Sequence, residues 1–317
     1  MKKDLPCLAI VVPCFNEEEV LGATADVLLK KVHQLKTKGI VAEKSFLVFV
    51  NDGSTDTTWQ KIAELGQIHP NIKGINLARN FGHQAALLAG INHFAQKADC
   101  IVSIDADLQD DVEVIDQMLD AHNNGFDVVY GVRQERKTDS FFKRTTALFF
   151  YKIMRWLGVD IVYNHADFRL TSRRFNAELL RFDERNLFLR GIVPAIGLRQ
   201  TSVFYNRKER MAGTTKYPFR KMVSFAFEGI TSFSVRPLRI ITISGLVIFI
   251  LCVVLSAITI ISFLNGNTVR GWASTVLPFY LLGGLHIFFL GIIGEYIGKI
   301  YKEIKKRPRY IIESTLE

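Results

Sequence analysis

The chain has 317 residues, of which 49% are hydrophobic and 22% charged, which excludes a disordered or collagen-like protein. Its mass of 36.0 kDa suits one large domain or two smaller ones. Lys and Arg outnumber Asp and Glu by 40 to 31, a net charge of +9 that favours an anionic partner such as phosphate or an anionic membrane surface.

The chain starts Met1-Lys2-Lys3-Asp4, and its first apolar stretch is broken by Pro13 and then by Glu17, Glu18 and Glu19. No signal-peptide pattern is present there, so this part is expected to stay in the cytoplasm. A βαβα rhythm follows. Strands are predicted at 8–12, 46–50, 72–77, 100–104 and 127–130, and helices at 17–36, 57–65, 81–94 and 112–123. Such alternation implies an α/β domain with a mostly parallel sheet covered on both faces. In these folds ligands gather beyond the carboxyl ends of the strands. The polar clusters Pro13–Glu17, Asn51–Asp56, Arg79–Gly82 and Asp105–Asp111 all follow strands and should share one rim. Neither a GxGxxG nor a GxxxxGK[ST] loop occurs, which excludes the dinucleotide and P-loop readings. The 4 cysteines lack a CxxC pair and make neither a disulfide framework nor a zinc signature.

The second half of the chain reads differently. Residues 141–156 and 219–235 are amphipathic at helical spacing, the latter through Phe219, Met222, Val223, Ala226, Ile230 and Phe233. The latter is a candidate interfacial helix. Residues 240–264 carry no charge, and residues 272–294 none beyond His286. At about 1.5 Å per residue both runs are long enough to cross a bilayer core of about 30 Å. Arg236 and Arg239 precede them, Lys299, Lys302, Lys305, Lys306, Arg307 and Arg309 follow, and the connecting turn holds only Arg270. That asymmetry puts both ends on the cytoplasmic side. Gly294 and Gly298 have the GxxxG spacing of close helix contact, which is compatible with a homo-oligomer.

Asp105, Asp107 and Gln109 alternate along what reads as the extension of the fourth strand, so all three should point the same way. Two carboxylates and an amide oxygen form a hard-oxygen set suited to Mg²⁺ or Mn²⁺. Asp110 and Asp111 read as first-turn acids of the next helix.

Val12-Pro-Cys-Phe-Asn-Glu17, Asn51-Asp-Gly-Ser54, Asp105-Ala-Asp-Leu-Gln109 and the terminal apolar hairpin together resemble the inverting glycosyltransferases of family 2. More narrowly they resemble the polyprenyl-phosphate glycosyltransferases, which include dolichyl-phosphate mannose synthase and the bactoprenol glucosyltransferases. Asp167-Phe-Arg-Leu170, Arg207-Lys-Glu-Arg210 and Gly213-Thr-Thr-Lys-Tyr217 extend the match. The resemblance implies a GT-A (Rossmann-like) domain over 1–217, an interfacial helix over 218–237, two transmembrane helices over 238–298 and a basic cytoplasmic tail over 299–317. It also implies transfer of a hexose, glucose from UDP-glucose, to undecaprenyl phosphate at the cytoplasmic face of a bacterial inner membrane. Pro13, Phe15, Glu17, Asp52, Asp105 and Arg210 would bind the nucleotide, and Asp105, Asp107 and Gln109 the cation. Asp107 and Asp167 would be catalytic, with Arg133, Arg169, Arg207 and Lys216 holding acceptor or phosphate. A phosphate monoester is already largely dianionic at neutral pH, its second pKa being about 6, so Asp167 is expected to orient the acceptor more than to take a proton. The competing readings are a processive polysaccharide synthase and a non-catalytic nucleotide-binding membrane scaffold. A nucleic-acid binder is disfavoured because the positive charge flanks the apolar runs.

Overall fold

A computed structural model describes residues 5–133, 165–185, 189–206 and 272–317, together with 238, 240–245, 247–248, 250 and 254. The chain forms two compact units. One comprises Met1–Tyr151, Asp160–Pro218 and Arg307–Glu317, the other Lys152–Val159 and Phe219–Lys306.

The first unit is built on one eight-stranded sheet. Its elements begin with β1 (Leu8–Cys14), α1 (Leu21–Thr37), β2 (Phe46–Asn51), α2 (Thr58–Ile68), β3 (Ile72–Leu77) and α3 (His83–Phe94). They continue with β4 (Cys100–Ser103), α4 (Val114–Asn123), β5 (Val128–Arg133), β6 (His165–Ser172), α5 (Arg173–Arg181), α6 (Leu189–Ala195) and β7 (Gln200–Tyr205). The sheet is completed by β8 (Ile312–Leu316), giving the order β7-β5-β6-β4-β1-β2-β3-β8. β1, β2, β3 and β4 run parallel, as the alternating pattern requires, while β6 lies antiparallel between β4 and β5.

The central strands are apolar throughout because both faces are covered. Every residue of β1 and β2 is buried. Pro13 stays within β1 although a proline cannot donate to a ladder. It can do so because the pairing with β4 ends at Val11, and Pro13 pairs only with Val50 of β2. The five predicted strands and four predicted helices are all present. The helix expected from residue 17 starts at Leu21, because Glu17 to Val20 form a tight turn first.

The stretch 299–317, expected as a basic tail, is corrected in two places. Its first part continues the helix α7 (Trp272–Ile304), and its last part returns to the first unit as β8, antiparallel to β3. Packing explains the return. A Cβ on Gly66 would lie 2.0 Å from the Leu316 Cδ2, and one on Gly74 would lie 3.3 Å from the Leu316 Cβ. The two glycines leave the groove that Leu316 fills. Further bonds hold the segment to α3: Asn92 donates to the Tyr310 hydroxyl at 2.7 Å, and the Glu317 carboxylate meets His93 at 2.7 Å and Lys97 at 2.6 Å.

The apolar run 272–294 lies within α7, and the run 240–264 is described only at scattered helical positions. Among the described residues, no helix is long and apolar enough to cross a membrane. The amphipathic stretches 141–156 and 219–235 lie outside the described residues.

Lys97 and His93 hold the Glu317 carboxyl well below the usual carboxylate range, at about 2. Its contribution to stability is therefore complete above its unfolded pKa of about 4.3 and is lost as pH falls toward 2. Urea titrations should show wild type more stable than Glu317→Gln at pH 6, with the gap closing as pH is lowered through 4 to 2.

Candidate active site

Three loops leave the carboxyl ends of β1, β2 and β3 and are tied to one another by polar bonds. Asn16, at a positive φ of 52°, donates its backbone N–H to the Ser54 hydroxyl at 2.9 Å and accepts from the Thr55 N–H at 2.9 Å. The Glu17 N–H reaches the Thr58 hydroxyl at 3.0 Å. Asp52 is buried, and its two carboxylate oxygens accept the N–H groups of Phe81 at 2.7 Å and Gly82 at 2.9 Å. Burial pushes the Asp52 carboxyl up, and those two amides oppose the shift. Gly53 stands at a φ of 60°, and a Cβ there would lie 2.2 Å from the Arg79 carbonyl carbon. Only glycine lets the second and third loops approach this closely.

The loop after β4 carries the acids. β4 ends at Ser103, so Asp105-Ala-Asp-Leu-Gln109 is not the extended strand expected from its alternation. It turns instead: Thr24 of α1 donates to the Ala106 carbonyl at 2.7 Å, the Gln109 N–H reaches Asp107 at 3.2 Å, and Leu108 takes a positive φ of 50°. Asp105 and Asp107 are partly exposed between buried Ala106 and Leu108, but Gln109 is buried. Asp110 is not a first-turn helix acid, since α4 begins at Val114. It is buried against Arg133 at 3.1 Å and accepts from the Tyr205 hydroxyl. Burial, and after it the Asp110 charge, push the Tyr205 phenol above its usual range, so it remains a donor.

Asp167 enters from β6. The antiparallel register pairs Ser103 with Arg169, and the Ser103 hydroxyl donates to the Asp167 carbonyl. The Asp167 carboxylate accepts from Arg169 at 2.7 Å. His83, the first residue of α3, stands 3.5 Å from Asp167 and 3.6 Å from Asp105. Burial pushes the Asp105 carboxyl up to about 6; His83 opposes this, and Asp167, Asp110 and Asp107 add to it. Three further carboxylates thus act on Asp105 at the tip of β4, with His83 acting against them.

The structure brings Asp105, Asp107 and Asp167 together at this rim, with Pro13 near the end of β1 and Phe15, Glu17 and Asp52 on the adjoining loops. Arg133 and Arg169, expected to bind phosphate, are engaged with Asp110 and Asp167 respectively. Arg207, Arg210 and Lys216 lie outside the described residues. His83 was missed, although it directly follows the Arg79–Gly82 cluster. A helix that starts at a strand-end rim turns its first residue toward that rim, and this signal would have found it. Among the described residues, no group of three or more His, Cys, Asp or Glu is placed to hold a metal ion.

The close approach at Gly53 makes a sharp expectation. Gly53→Ala should lower stability by about 1–3 kcal/mol through backbone strain, measured by urea denaturation, and should loosen the Arg79–Gly82 loop, measured by amide exchange at Phe81 and Gly82.

With this geometry in place, comparison with known proteins is informative. Residues 9–180 match the family "Glycosyl transferase family 2", and residues 236–300 match "GtrB C-terminal hairpin". The chain is 52% identical over 316 residues to "Uncharacterized glycosyltransferase YkoT" of Bacillus subtilis (strain 168), covering 100% of this chain and 94% of the relative. It is 40% identical over 308 residues to "Prophage bactoprenol glucosyl transferase homolog" of Escherichia coli (strain K12), covering 96% and 98%. It is 39% identical over 310 residues to "Bactoprenol glucosyl transferase" of Shigella phage SfII, covering 97% and 98%. Among solved structures, "Mannosyltransferase PcManGT from Pyrobaculum calidifontis in complex with GDP-Man and Mn2+" aligns at a TM-score of 0.47 and 12% identity, covering 92% of this chain and 87% of that one. The tip of β4 therefore sits in a recognised catalytic domain: the chain belongs to glycosyl transferase family 2, and behind that domain it carries a GtrB C-terminal hairpin.

Proposed function

We propose that this glycosyltransferase moves glucose from UDP-glucose to a polyprenyl phosphate, undecaprenyl phosphate in a bacterial membrane, with inversion at the anomeric carbon. The observation that carries this reading is the meeting of Asp105, Asp107 and Asp167 at one sheet end. Identity of 39–40% over nearly the whole chain to proteins named for bactoprenol glucosyl transfer supports the acceptor class.

The reaction forms one bond and breaks one. A phosphate oxygen of the lipid attacks C1 of the sugar, and the C1–O bond to the nucleotide diphosphate breaks with its electron pair leaving on the diphosphate. Asp105 and Asp107 are partly exposed and present hard oxygens, so they would be the residues to hold Mg²⁺ or Mn²⁺. When bound, such a cation supplies charge neutralisation for the departing diphosphate. Asp167, fixed by Arg169 and faced by His83, orients the acceptor phosphate. Pro13 near the end of β1, with Phe15, Glu17 and Asp52 on the loops beyond, holds the base and ribose.

The hairpin anchors the enzyme in the membrane with both ends on the cytoplasmic side. Support comes from the charge-free runs, the flanking basic residues, and the exposed apolar side chains of α7, among them Phe279, Leu290, Ile293, Ile297 and Ile300. Anchoring raises the effective concentration of a lipid acceptor at the catalytic rim.

Membranes containing the full chain, given polyprenyl phosphate, a divalent cation and labelled UDP-glucose, UDP-GlcNAc or GDP-mannose, should carry glucose label into the organic phase. Label that enters only from another donor would overturn the glucose assignment; none from any donor would overturn the reaction. Asp105→Asn and Asp107→Asn should each lower kcat by about 10²-fold or more. Asp167→Asn should lose rate equally at pH 6 and pH 9, whereas recovery at pH 9 would make it a base.

A further inference from the structure

β8 is joined to the nucleotide loops by a directional chain of side-chain bonds. The pairing of β3 with β8 runs Leu77↔Ile312 and then Asn76↔Ser314, so Glu313 is the extra residue of a bulge. Bulges re-aim side chains. Here Glu313 accepts from Asn76 Nδ2 at 2.8 Å. Asn76 Oδ1 accepts from Asn51 Nδ2 at 2.7 Å, and Asn51 Oδ1 accepts from the Ser54 N–H at 3.3 Å. Ser54 and Thr55 are the residues that clasp Asn16 of the first loop.

The direction of this chain is set at one end. A carboxamide can present either its oxygen or its nitrogen, while a carboxylate only accepts. Glu313 therefore obliges Asn76 to turn its nitrogen outward and its oxygen toward Asn51. Asn51 must then turn its nitrogen toward Asn76 and its oxygen toward the Ser54 amide. Asn51 is 2% exposed and Asn76 9%, so an amide turned the wrong way would face an unmatched partner without water to replace it.

We propose that Glu313 is a positioning residue for the donor-nucleotide site, acting through Asn76 and Asn51 on the loops at Asn16 and Ser54–Thr55. The assignment rests on reading those loops as the nucleotide site. It gives the segment after the hairpin a part in donor binding.

The test uses the full-length chain in detergent with Glu313→Ala, Glu313→Gln and Ser314→Ala. Glu313→Ala should weaken UDP binding and raise KM for the nucleotide sugar by about three- to tenfold, the range of one net hydrogen bond, with kcat within about twofold. Amide exchange at Ser54 and Thr55 should rise in the ligand-free protein. Glu313→Gln keeps an acceptor oxygen and should restore most of the binding. Ser314→Ala, on the same exposed strand, should change neither and thereby separates the relay from general loosening of β8. If wild type binds UDP and Glu313→Ala binds it equally well with unchanged exchange, the assignment is overturned alone. If wild type binds neither UDP nor GDP, the nucleotide reading falls and the assignment with it.

Discussion

The antiparallel pairing of β4 with β6 is the constraint on which the site depends. It sets Ser103 against Arg169 and so brings Asp167 beside Asp105, two carboxylates from distant parts of the chain. Removal from water chiefly raises the Asp105 carboxyl; His83 opposes the shift, and the neighbouring carboxylates add to it. The rest of the sheet supports this arrangement. β1 and β2 are fully buried, and Asp110 binds the loop to Arg133 and Tyr205 behind the exposed acids. An apolar frame thus holds the acids in place, with Arg169 and His83 set against them.

A second principle governs the neighbouring loops. They carry few apolar contacts and are organised by bonds from side chain to backbone: Asp52 to Phe81 and Gly82, Asn16 to Thr55, and Ser54 to Asn16. Short polar residues at strand ends do this well because they satisfy amides that the sheet no longer pairs. The same groups that shape the rim remain near a ligand that needs donors and acceptors. Under the proposed function, shape and recognition would be made by one set of atoms.

The sheet's parallel half was legible because its strands are short apolar runs separated by amphipathic helices, and period alone separates the two. The rim was legible for the same reason, since the polar clusters begin where the apolar runs stop. The geometry of Asp105–Gln109 was not. Alternation in sequence suggested an extended strand, whereas the turn depends on Thr24, far away in the chain. The pairing of Arg133 with Asp110 and of Arg169 with Asp167 was not legible either, because burial and partners cannot be read from residue type. β8 escaped notice because five residues after a basic run carry almost no periodic signal. What commits them to the sheet is the space above Gly66 and Gly74.

That late strand has a consequence for biogenesis. The eighth strand follows the hairpin in the chain, so the fold cannot close its sheet until the hairpin has been made. The enzyme would leave the ribosome unfinished, with the exposed edge of β3 awaiting its partner. Maturation of the active domain is in this way scheduled behind synthesis of the hairpin.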